Sequence, residues 1–138
     1  MNPDLVFSIA SMLVFPQWLL MVFLPKWKGT TWLLNHQIIP GILVIIYAIF
    51  LLSAGDVEGG GFGSLQEVKA LFTVDNAVLA GWVHYLAFDL LVGSWILKNS
   101  QERAVNHFAV IPCLFFTFMA GPVGWGLYMV LRYFLAKK

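Results

Sequence analysis

From Leu5 to Leu24 the chain carries no charged side chain. Twenty residues at a helical rise of about 1.5 Å each match the ~30 Å hydrocarbon core of a bilayer. Three more apolar runs follow, over 31–53, 76–97 and 105–135. Only 11% of the 138 residues are charged and 60% are hydrophobic, whereas a soluble domain carries about 25% charged residues. A soluble chain of this size leaves much of its surface in water and could not hide so much apolar area. The reading is an all-α integral membrane protein: one domain over 1–138, a four-helix bundle with kinked helices and spans near 5–24, 31–53, 76–97 and 105–135. Its setting is the lipid bilayer.

The formal net charge of +1 offers no basic face to nucleic acid. Cys113 is the single cysteine, so no intrachain disulfide forms, and in its apolar run it reads as a small buried hydrophobe. Met1-Asn2-Pro3-Asp4 is not the basic opening of a signal peptide, so the first helix is expected to stay in the mature protein.

Local signals punctuate the runs. Asp4 can cap the first span, Pro16 and Gln17 predict a kink within it, and Pro25-Lys26-Trp27-Lys28 ends it at headgroup level. Asn35-His36-Gln37 makes the start of the second span polar, with a bend expected at Pro40-Gly41. Residues 55–63 are glycine-rich but lack the lysine and flanking strand of a phosphate-binding loop, so they read as a linker. Ser64 and Glu67 have capping-box spacing, which predicts a short amphipathic helix over 64–72 on the membrane surface, between spans 2 and 3. The last run would be roughly 45 Å long as a single helix. Gly121-Pro122-Val123-Gly124 interrupts it, because Pro122 lacks an N–H and its ring meets the carbonyl of Phe118. One kinked span is expected there, with two half-spans as the alternative. Four spans put Lys26, Lys28, Lys98 and Arg103 on one side and Lys69, Arg132, Lys137 and Lys138 on the other. That tie leaves the positive-inside rule without a difference to read. The customary weight of the first helix places the first loop in the cytoplasm.

The chemistry-bearing residues are those lipid would reject. Asp89 lies about 4 Å from the midpoint of the third span, where a carboxylate costs at least ~2.5 kcal/mol. It must face the interior, hold a proton or have a partner, and it reads as a proton donor or acceptor or as a structural aspartate. His84 lies as near the midpoint on its other side. Five residues correspond to about 140° around a helix, so the two side chains do not pair directly. Val78, Trp82, Tyr85, Val92 and Ile96 share the face of Asp89. Trp82, Tyr85, Phe88, Phe115, Phe116 and Phe118 could wall a pocket for a long, conjugated, apolar ligand. His36 and His107 fall in the same membrane half as Asp89. They read as interfacial capping residues or as weak metal or haem ligands, since no metal-spacing motif accompanies them. No cofactor is predicted; haem is the alternative.

Gly81-Trp82-Val83-His84-Tyr85-Leu86-Ala87-Phe88-Asp89-Leu90, together with Gly61-Phe62-Gly63-Ser64-Leu65, Pro112-Cys113-Leu114 and Gly121-Pro122-Val123-Gly124, resembles the abscisic-acid-deficient-four family. This is the neoxanthin-synthase-like group of small membrane proteins. The resemblance covers nearly the whole chain and is most specific from Gly61 to Gly124. It implies a carotenoid or isoprenoid isomerase that turns an epoxide into an allenic alcohol, with Asp89 and His84 as the matching acid/base positions and Trp82, Tyr85, Phe88, Phe115 and Phe118 packing the polyene. The lack of a plastid-type extension points to a bacterial-type member in the bacterial cytoplasmic membrane. The other readings are a non-catalytic pigment or retinoid carrier, an accessory subunit of a membrane complex or a homo-oligomer, and a haem-binding electron carrier.

Overall fold

A computed structural model describes residues 2–135. Among them all regular structure is α-helical, in seven segments: α1 Pro3–Phe23, α2 Lys28–His36, α3 Ile38–Ser53, α4 Leu65–Leu71, α5 Asp75–Glu102, α6 His107–Ala120 and α7 Pro122–Leu135. Three stretches are long and apolar enough to cross a membrane: α1, α2 with α3 as one span (Lys28–Ser53), and α5.

Each boundary has a local cause. Asn2, rather than Asp4, caps α1: its side-chain oxygen accepts from Asp4 N–H at 2.9 Å, and Pro3 takes the first helical position, where no N–H is needed. Pro16 lies inside an unbroken α1. The second span breaks at Gln37, which is left-handed at φ 50, three residues before the expected bend. The proline at position 40 obstructs the carbonyl of His36, so the helix stops at that residue. The surface helix α4 starts as its spacing predicts, with Glu67 N–H on Ser64 Oγ at 3.2 Å and Gly63 N–H on Glu67 Oε2 at 2.8 Å.

α5 is the central post. It packs against α1, α3, α6 and α7 and contributes Leu79, Val83, Leu90, Ile96 and Leu97 to the buried core. Polar ties mark its ends: Asn76 Nδ2 donates to Ser53 O at 3.1 Å at the start, and Lys98 Nζ to Asn35 Oδ1 at 3.1 Å near the finish. These fix α2 and α3 antiparallel to it.

The region expected as a fourth span is a helical hairpin instead. Ala104, left-handed at φ 52, turns the chain at the end of α5, with Val105 N–H on Ser100 O at 2.9 Å. α6 then runs back along α5 until Tyr85 Oη donates to Met119 O at 3.0 Å. At Gly121 the chain reverses again. α7 returns beside α6, and Tyr128 Oη and Arg132 Nη1 both donate to Asn99 Oδ1, at 2.8 and 3.0 Å. The sequence break was legible, but its consequence is a fold-back and not a kink. Pro122 stands at the first position of α7, where it starts a helix instead of bending one. Gly124 lies so close to Thr117 and the Cys113 carbonyl that no Cβ would fit between α6 and α7. The hairpin therefore reaches only half the length of α5. At the break Gly121 is buried, whereas Met119, Ala120, Pro122 and Val123 around it are exposed.

The fold-back also redistributes charge. Arg132 joins Lys26, Lys28, Lys98 and Arg103 at the first-loop end of α5, and Lys69 alone among the described basic residues lies beyond the other end. The tie was a consequence of counting a fourth crossing; Lys137 and Lys138, which entered that count, lie outside the described residues.

Candidate functional site

Asp89 sits at the middle of α5, beneath the tip of the hairpin. It is 7% exposed, and its Oδ2 has no hydrogen-bond partner. Gly121 packs directly on its carboxyl, leaving no room for a Cβ. Several other polar side chains in the interior have partners, although Gln17 Oε1 and Gln37 Oε1 are also unpaired. Gln17 Nε2 donates to Ser94 Oγ at 3.0 Å, Ser94 Oγ to Leu90 O at 2.7 Å, and Thr117 Oγ1 to Cys113 O at 2.7 Å. An orphaned buried carboxyl oxygen is costly, and in a membrane span it makes Asp89 a candidate functional residue.

Tyr85 precedes Asp89 by one turn, so the two share a face, and the phenol lies beside the carboxyl. Tyr85 also lines a cleft of about 400 Å³, formed with Phe7, Ser11, Val14, Phe15, Trp82, Leu86, Phe118 and Met119. Asp89 is not itself part of that lining. The cleft exists because α6 ends at Met119 and Ala120, so the far half of α5 beside α1 has no helix covering it. Its floor is the hairpin tip. Trp82 Nε1 donates to Ser11 Oγ at 2.9 Å, which ties α5 to α1 across its back.

A second cleft, of about 210 Å³, continues along α1 in the other half of the membrane. It is lined by Phe15, Trp18, Leu19, Val22, Phe23, Ile111, Leu114, Phe115 and Phe118, with no polar side chain. Phe15 and Phe118 belong to both clefts, and their rings pack at 5.5 Å. The pair of clefts makes a groove following α1 from Phe7 to Phe23, about 24 Å by helical rise.

Of the residues singled out in the sequence, Trp82, Tyr85, Phe115 and Phe118 line this groove and Asp89 stands behind it. His84 and Phe88 do not join them. They face away from the groove, with the His84 ring packed at a tilt against Phe88 at 4.6 Å and Tyr47 at 5.5 Å. The separation expected from five residues of helix is thus what the chain adopts. His36 Nδ1 bonds Trp32 O at 2.9 Å within α2, and His107 Nε2 bonds Val22 O at 2.8 Å at the end of α1. No group of three potential metal ligands, including these two with Asp89, comes together among the described residues. Ser11, Phe15, Met119 and Gly121 were missed. Gly121 had a signal in the Gly-Pro break; the others look like any apolar helix until α1 is set against α5.

The model of a protein family described as ABA DEFICIENT 4-like matches residues 5–128. The match is to the family as a whole and carries nothing for the bacterial-type refinement. No curated protein and no solved structure matches the chain.

Proposed function

Since the chain belongs to the ABA DEFICIENT 4-like family, we propose that it is a membrane-embedded isomerase of the neoxanthin-synthase type, acting on a linear carotenoid or isoprenoid held in the α1–α5–α6 groove. The observation that carries this reading is the buried, unpaired Oδ2 of Asp89 behind Tyr85. Tyr85 is the one member of the pair whose side chain borders the groove. The epoxide-to-allene conversion needs no external oxidant or reductant. A proton reaches the epoxide oxygen, the carbon–oxygen bond at the polyene-conjugated carbon breaks, and the cation spreads along the polyene. A base then removes the hydrogen from the adjacent vinylic carbon, and that electron pair completes the allene.

Because the steps are sequential, one carboxyl can serve both: Asp89 gives its proton through Tyr85 and, once ionised, takes one back. This role does not require His84, which stands on the opposite face. Trp82, Phe15 and Phe118 border the same cleft and present aromatic faces suited to a delocalised cation. The span architecture is three crossings and a half-depth hairpin, with the first-loop end cytoplasmic under the positive-inside rule.

The apolar lining of the second cleft favours one further reading, a pigment or retinoid carrier without turnover. Expression in cells that make epoxycarotenoids, followed by pigment profiling, separates the two. The isomerase reading expects an allenic product that disappears with Asp89→Asn. Co-purified pigment with an unchanged profile supports the carrier, and product formation by Asp89→Asn at the wild-type rate contradicts the role given to Asp89.

A further inference from the structure

We propose that the Tyr47–His84 face of α3 and α5 is where a second copy of this chain docks within the membrane. His84 lies about 12 Å along α5 from Asn76, by helical rise, and Asn76 marks the end of the span through its bond to Ser53. His84 is exposed and Tyr47 half-buried. Among the described residues, neither the imidazole nor the Tyr47 hydroxyl has a hydrogen-bond partner; their rings pack at a tilt, with centroids 5.5 Å apart, instead of bonding. Other polar groups on this part of the bundle have partners, Trp82 with Ser11 and Tyr85 with Met119, with the buried Asp89 Oδ2 as the exception. Acyl chains supply no partner at this depth, and an unsatisfied polar group in hydrocarbon costs free energy.

The surroundings favour a protein surface over a small molecule. Tyr47, His84 and Phe88 border neither cleft of the groove, and small-molecule ligands need concavity. The pair is also self-complementary. A phenol is a donor and an acceptor, and a neutral imidazole has one donor nitrogen and one acceptor nitrogen. A two-fold axis through this face sets each His84 against the partner's Tyr47, the reciprocity an isologous interface requires. Phe88, 55% exposed on the same face, then packs across the axis.

The test uses the full chain in lipid vesicles, with subunits counted by single-molecule photobleaching over a range of protein-to-lipid ratios. Wild type is expected to dimerise, and Tyr47→Phe with His84→Leu to weaken the dimer at least tenfold. Both replacements are apolar; His84 is exposed, and Tyr47→Phe keeps the half-buried ring that packs against the core, so the fold persists. In parallel, His84→Cys is expected to cross-link to its own copy under mild oxidation. The native Cys113 is fully buried, so the wild type serves as the blank. Val130→Cys, on the exposed side of α7, is the control for random collision. A wild type that stays monomeric at every density overturns the proposal. So does a dimer indifferent to the double substitution, or His84→Cys cross-linking no faster than Val130→Cys.

Discussion

α5 turns Asp89 inward beneath a helical hairpin and, five residues away, turns His84 outward toward lipid. Both are ionisable side chains deep in an apolar helix, and from the sequence they are equivalent suspects. Their surroundings differ. Asp89 meets the backbone of Gly121 and the phenol of Tyr85, and a lipid-open groove lies one side chain away. His84 meets only two aromatic rings on a face without a cleft. The difference teaches that intramembrane polarity alone does not identify chemistry. The two residues differ in the concavity beside them, and at Asp89 it comes from a hairpin that stops halfway.

Three substitutions and two controls can break or sharpen that contrast. The largest effect belongs to Asp89→Asn, which keeps the shape and removes the exchangeable acid. Turnover, followed as product per mole of protein, should fall by about 10²–10⁴, the usual contribution of general acid–base catalysis. His84→Leu should leave turnover within about threefold, and an equal loss there would erase the distinction between the faces. Next comes Gly121→Ala. A methyl group there must displace the Asp89 carboxyl, so a destabilisation of about 1–3 kcal/mol is expected from overpacking, read as a lower Tm in detergent. Gly126→Ala, inside α7 and in open space, should raise Tm instead, through a gain of up to about 1 kcal/mol in helix propensity. Equal shifts at the two glycines would mean that Gly121 is not pressed against the carboxyl. The smallest structural effect is that of Tyr85→Phe, which loses the bond to Met119 and about 1 kcal/mol of stability. Turnover should nonetheless fall, because the phenol is the link from Asp89 to the groove. Full turnover in Tyr85→Phe would detach Asp89 from that cleft.

Much of the fold was legible because lipid enforces simple rules. The three crossings follow from uninterrupted apolar length, the surface helix from Ser64 and Glu67, and the divergence of Asp89 and His84 from the helical repeat. The end of the chain was not legible. A Gly-Pro break reads the same whether the next helix continues or reverses, and only the fit of Gly124 against Thr117 and of Tyr128 and Arg132 on Asn99 decides it. The site was half legible for the same reason. Trp82, Tyr85 and Asp89 share a face of one helix, and periodicity finds them. Phe88 was grouped with them by composition but leaves with His84. Ser11 and Met119 enter from α1 and α6, through contacts that no local pattern encodes.

The claim on which the rest depends is that α6 and α7 form a hairpin entering and leaving the membrane on one side. Single cysteines at Asn106 and Tyr133, in a Cys113→Ser background, can be labelled with a membrane-impermeant maleimide in sealed, right-side-out vesicles. The same measurement on Gln66→Cys, in α4, reports the opposite face. The hairpin predicts that positions 106 and 133 are protected together and become reactive together when the vesicles are opened, while position 66 reacts from the start. Positions 106 and 133 labelling from opposite sides would restore a fourth crossing, and the notch beside Asp89 would lose its floor.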